Sequence, residues 1–135
     1  MGKRTTSRRL AMQALYQMDI TKKTVMEALA SVISEDKLSP EAISYAEILL
    51  QGTFDNVQKI DDKLKQLSQQ WPLDRMSIVD KNILRLASYE IMFQKETPYA
   101  VVADEAVELA KKYSGTDSSK FVNGILGALI KDLGQ

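Results

Sequence analysis

The chain has 135 residues, 18 basic and 18 acidic side chains, and no cysteine or histidine. That length suits one domain, and the composition excludes disulfides, thiol nucleophiles, the usual zinc ligands and the side chain that titrates near neutrality when unperturbed. With no apolar run near the roughly 18 residues of a membrane span and no apolar stretch after the N-terminal cations, the expectation is a protein of the reducing cytoplasm, without a membrane segment or secretory signal.

The zero net charge hides an asymmetry. Lys3, Arg4, Arg8 and Arg9 lie in the first 18 residues without an acid, so the rest of the chain is net acidic. Residues 1–7 lack an apolar pattern and read as a flexible basic arm. From Ser7, a candidate N-cap, a helix follows: Leu10, Ala14, Leu15 and Met18 share one side, and Arg9, Gln13 and Tyr16 another. Thr21 or Thr24 caps a second helix through Val25, Ala28, Leu29, Val32 and Ile33. Ser39-Pro40-Glu41 combines a cap, a proline at the first helical position and an early acid. The helix it opens carries Ile43, Ala46, Leu49 and Leu50. After a break between Gly52 and Asn56, helical spacing resumes through Val57, Ile60, Leu64 and Leu67. Trp71-Pro72 ends that run, because the residue before proline avoids helical dihedrals.

Met76 to Phe93 is expected to be the central helix. Val79, Ile83, Leu84, Leu86, Ala87, Ile91 and Phe93 cover more than half of its wheel, leaving Ser77, Lys81, Arg85 and Ser88 as a polar stripe. Asp80 and Glu90 interrupt the apolar arc; Glu90 is expected in a buried ion pair or at a helix N-terminus. Tyr99 to Tyr113 is the clearest amphipathic segment, and Gly115 suits its C-terminal end. Asp117 or Ser118 caps a last helix whose buried face is Val122, Ile125, Leu126, Leu129 and Leu133. Gly124 and Gly127 inside that helix each cost roughly 1 kcal/mol against alanine, so close approach of a neighbour is expected to offset them. With no alternating strand pattern, the fold class is all-α, a bundle of about seven helices in two packed halves.

Enzyme signatures are missing. There is no Gly-rich phosphate loop, metal-ligand spacing or Ser-His arrangement, and the pairs Asp61-Asp62 and Asp104-Glu105 fall on polar faces. Two features point to nucleic acid. The cations of the arm can neutralise phosphates. Phe121, at the border of the last helix's apolar face beside Lys120, can stack an unpaired base. Each has a plainer alternative, a solubilising terminus and a core aromatic. A helical protein–protein adaptor without a nucleic-acid role therefore stands beside RNA binding.

The residues also resemble a known family. RRLAMQALYQMD at the N-terminus, RMSIVDKNILRLASYEI in the middle and TPYAVVADEAVELAKKYSGTDSSKFVNGIL towards the end are similar to the NusB transcription antitermination factors, with EAVELAKKY and KFVNG the most specific. The resemblance implies an all-helical RNA-binding protein without catalytic activity, metal or cofactor. It implies binding of single-stranded boxA RNA in ribosomal RNA leader transcripts, together with the ribosomal protein NusE, in a complex with NusA, NusG and RNA polymerase. RNA contacts would fall on Lys3, Arg4, Arg8 and Arg9, and on Asp117, Ser118, Ser119, Lys120 and Phe121; contacts to NusE would fall on Tyr16 and Asp80. Thr5, Thr6 and Ser7 thin out the cation cluster that the family often carries in its arm. A homodimer is a further arrangement that the same surfaces allow.

Overall fold

The computed structural model describes residues 2–33 and 37–134, which form seven α-helices and no strand. They are α1 (Lys3–Thr21), α2 (Val25–Ile33), α3 (Pro40–Asp55), α4 (Val57–Leu67), α5 (Ile78–Phe93), α6 (Tyr99–Tyr113) and α7 (Thr116–Asp132), with one 3-10 turn at Leu73–Arg75. The first three pack on one another, α6 and α7 form a second group with α4 against α7, and α5 touches both groups. No helix among the described residues is long and apolar enough to cross a membrane.

The role of α5 follows from its composition. Ile83, Leu84, Leu86, Ala87 and Ile91 are all buried, each large aliphatic contributing about 1.5–3 kcal/mol on removal from water. The helix starts where Ser77 Oγ accepts from the Asp80 backbone N–H at 3.1 Å. The expected polar stripe is only partly polar in setting, since Ser88 is fully buried. Lys81 and Arg85 instead lie over α1 and α4, paired with Asp19 and Asp61.

Other helix starts also match their local chemistry. Ser39 Oγ accepts from Ala42 N–H with Pro40 at the first helical position. Thr24, rather than Thr21, opens α2 through a reciprocal box: its backbone N–H donates to Glu27 Oε1 at 2.9 Å, and Glu27 N–H donates to Thr24 Oγ1 at 3.2 Å. That box holds the Glu27 carboxyl below the usual range. Gly115 follows α6 with φ of 115°, a backbone region that glycine enters without penalty.

Four expectations need correction. The arm is not irregular where it is described: helix α1 begins at Lys3, four residues ahead of Ser7, while residue 1 lies outside the described residues. Ser7 is not a cap but a buried residue whose hydroxyl donates to the Lys3 and Ala42 carbonyls. Neither Asp117 nor Ser118 caps α7, which starts at Thr116 after Gly115 without a side-chain cap. Gly124 and Gly127 face open space, with nothing within 4 Å of an added Cβ. Close approach occurs at Gly52 instead, where an added Cβ would overlap the Tyr89 ring.

The two kinds of glycine give opposite outcomes. Gly127→Ala is expected to stabilise the fold by about 0.5–1 kcal/mol, through helix propensity and a less flexible unfolded chain. Gly52→Ala must displace Tyr89 and is expected to cost about 1–3 kcal/mol. Urea denaturation of both variants measures the two signs together.

Candidate nucleic-acid interface

Helices α1 and α5 run antiparallel, because Arg8 near the start of α1 meets Glu90 near the end of α5, and Asp19 near the end of α1 meets Asn82 and Arg85. Every candidate side chain is positioned relative to this pair. Arg8 Nε donates to Glu90 Oε1 at 2.7 Å and its Nη2 to Glu90 Oε2 at 2.8 Å, a two-pronged bond. Its Nη1 donates to Glu105 Oε1 of α6 at 2.9 Å. Arg8 is only 4% exposed and Glu90 1%. Burial disfavours the guanidinium charge, but the bond and attraction to Glu90 outweigh it and push the Arg8 pKa above its ordinary value. The expectation of a buried partner for Glu90 is met, and the expectation that Arg8 reaches phosphate is not: its donors face inward.

The other cations of the first turns divide around the helix. Lys3 and Arg4 lie against α3, where Lys3 Nζ pairs with Glu41 at 3.1 Å and the Arg4 guanidinium sits 3.6 Å from the centre of the Tyr45 ring. The bond from Lys3 lowers the Glu41 pKa. Tyr45 in turn donates its hydroxyl to Glu90 Oε2 at 3.1 Å, and burial with the nearby Glu90 charge pushes the phenol pKa up. Arg9 lies on the opposite side, towards α6, where with Thr5, Thr6, Lys112 and Tyr113, and with the carboxylates of Glu105 and Glu108, it lines a hollow of about 240 Å³.

Two further hollows continue from that one. Tyr113, exposed at the end of α6, also borders a hollow of about 480 Å³ with Gln13, Tyr16, Val32 and Val79. Tyr16 is 38% exposed there. The neighbour of Val79 on α5 is Asp80, which lines a third hollow, of about 800 Å³, with Asp117, Ser118, Phe121 and Trp71. Asp80 is buried and its Oδ2 accepts from the Ser118 hydroxyl at 2.9 Å. Ser119 is turned inward, donating to the Thr116 carbonyl at 2.6 Å, whereas Asp117 and Lys120 are exposed.

Phe121 is half-buried: it packs against the core and borders the hollow. Its two readings, core aromatic and available ring, are therefore both partly right. The basic start of α1 and Phe121 are not adjacent. They lie at opposite ends of α5, and Glu90 and Asp80 alone are about 15 Å apart along the helix axis. The first two hollows share Tyr113, and the second and third are lined by the consecutive residues Val79 and Asp80. Asp80 was grouped with Tyr16 from the sequence; here its carboxylate belongs to the Phe121 hollow, one residue beyond the Tyr16 hollow. Trp71, 48% exposed on the same hollow, is a residue that sequence reasoning treated only as a helix stop.

Among the described residues no group of histidine, cysteine, aspartate or glutamate has the arrangement of a metal site. Asp61 is held by two bonds from Arg85, at 2.9 and 2.8 Å, and Glu105 by Arg8 and Thr5. Neither acidic pair expected on a polar face is thus wholly solvated. The exposed surface built from cations, half-exposed aromatics and hydroxyls can neutralise a phosphate backbone at one end and stack a base at the other.

The chain is similar to known proteins in sequence and fold. The NusB family profile matches residues 5–131. The transcription antitermination protein NusB of Sorangium cellulosum is 37% identical over 135 residues, covering 100% of this chain and 96% of the relative. Among solved structures, T. maritima NusB superposes with a TM-score of 0.89 at 34% identity, over 98% of this chain and 92% of its own. A complex of antitermination factors NusB and NusE with dsRNA contains a chain that superposes with a TM-score of 0.90 at 30% identity, over 98% of both chains.

The buried cation gives a direct prediction. Arg8→Ala leaves Glu90 without its partner and is expected to cost about 3–5 kcal/mol in chemical denaturation. Arg8→Lys is expected to recover only part, because an ammonium cannot make the two-pronged bond.

Proposed function

The chain belongs to the NusB family, and from that membership and the surface just described we propose that it is an antitermination factor that binds single-stranded boxA RNA of ribosomal RNA leaders together with NusE. It acts in the cytoplasm by binding rather than catalysis, within an assembly that includes NusA, NusG and RNA polymerase. The observation that carries the reading is three hollows, lined by Arg9 and Lys112, by Tyr16 and by Phe121, which we read as one row. Phosphates meet the cationic start, and an unpaired base meets the aromatic end.

The partner fits the middle of this row. Tyr16, with Val79 and Tyr113 beside it, is an exposed aromatic between the two RNA-binding ends. NusE seated there leaves both ends open and completes the surface between them. Asp80 contributes from its side through Ser118, at the boundary of partner and RNA. Among the cations, Arg9, Lys112 and Lys120 carry phosphate contacts, while Lys3 and Arg4, held against α3, add attraction from the other side of α1. The carboxylate of Asp117 borders the base-binding end, with Ser118 beside it.

Binding of a boxA-type RNA and a scrambled control, each with and without NusE, tests the reading. Preference for the boxA-type strand that strengthens with NusE is expected; equal binding of the two strands under both conditions would sink it. The double variant Arg9→Ala, Lys112→Ala is expected to flatten the log–log salt slope by about 1.4, as roughly 0.7 is lost per single-strand phosphate contact. Phe121→Ala is expected to weaken binding by about 1–3 kcal/mol at an almost unchanged slope. Titrations at several salt concentrations separate the two effects.

A further inference from the structure

We propose that Trp71 is a second stacking platform, and that one unpaired RNA base seats in the hollow between its indole and the ring of Phe121. The inference rests on the RNA-binding reading above and goes beyond it by assigning a residue and a ligand class to the hollow of about 800 Å³. Trp71 stands in the turn after α4, its backbone N–H bonded to the Ser68 carbonyl at 3.0 Å. The turn is anchored in the core by other side chains, Leu73 and Met76, both buried. An indole that the fold does not use as an anchor is left 48% exposed on the rim of the same hollow that Phe121 borders from α7.

The chemistry of the rim selects the occupant. No cation lines the hollow, while Asp80 and Asp117 do, so a phosphate is disfavoured there. Gln66, Gln69 and Gln70 add amides that both donate and accept, in reach of the edges of a heterocycle. A flat, uncharged ring with polar edges fits aromatic walls with an amide and carboxylate rim, and a nucleobase is such a ring. The strand's phosphates then stay outside, towards exposed Lys120. A protein side chain of the same shape would enter the hollow without requiring a nucleic acid, and the experiment separates that case.

Trp71 is the only tryptophan, so its emission reports on this hollow alone. Intrinsic fluorescence of the full chain is followed during titration with a boxA-type single strand, then with strands carrying one abasic position at each site in turn. Quenching at saturation is expected, with one abasic position that abolishes it. Trp71→Leu is expected to raise Kd by about 5- to 100-fold for the intact strand, whereas Trp71→Phe keeps most of the affinity. For the strand lacking the seated base, Trp71→Leu and the unsubstituted protein should bind alike, which marks the coupling as direct. Unchanged emission at saturation, or equal Kd values for Trp71→Leu and the unsubstituted protein, would overturn the assignment while leaving RNA binding in place. Absence of any RNA binding, with or without NusE, would remove both the assignment and the reading beneath it.

Discussion

A guanidinium in the second turn of α1, gripped by two carboxylates from α5 and α6, sets the geometry on which the rest of the molecule depends. Arg8, Glu90 and Glu105 bring together residues far apart in the chain, and they do so where water is excluded. Isolated buried charges are costly, but here the fork of Arg8 satisfies both oxygens of Glu90, and Tyr45 adds a further donor. Through Tyr45 the same network reaches Arg4, whose guanidinium lies on the phenol ring. The start of α1 is thereby fastened to α3, α5 and α6 together.

The same fastening sets where α1 and α6 meet. Glu105 of α6 reaches Arg8, Lys112 and Arg9 line one depression, and Tyr113 and Tyr16 line another. At the start of α7, Ser118 bonds Asp80, and Phe121 and Trp71 line the same hollow. The polar residues at the far end are equally constrained, since Ser119 folds back onto Thr116 and leaves Ser118 to meet the α5 carboxylate.

Much of this was legible in the sequence because it depends on local chemistry. Ser39-Pro40, Thr24 with Glu27, the apolar breadth of α5 and the spacing of Val122, Ile125, Leu126 and Leu129 each describe a helix without knowledge of its neighbours. The inward turn of Arg8 had a local signal as well. Extending the buried Leu10/Ala14 and Ala11/Leu15 rows back by one turn lands on Ser7 and Arg8, and Glu90 stood in an apolar arc in need of a partner. Pairing these two would have placed the arm's first residues on a helix. What the sequence could not supply was distance: neither the Tyr89 ring above Gly52 nor the hollow that Trp71 shares with Phe121 has any periodicity to betray it. The empty surroundings of Gly124 and Gly127 show the converse, that a glycine in a helix does not by itself report a close neighbour.

The division of cations around α1 has a kinetic consequence. Charges felt across a Debye length of about 8 Å do not need to face their target, so on the RNA-binding proposal Lys3 and Arg4 on the α3 side, the former paired with Glu41, act on encounter alone. Contacts that persist after docking would, on the same proposal, be those of Arg9 and Lys112 on the other side of α1. One short helical stretch would then separate the speed of encounter from the lifetime of the complex.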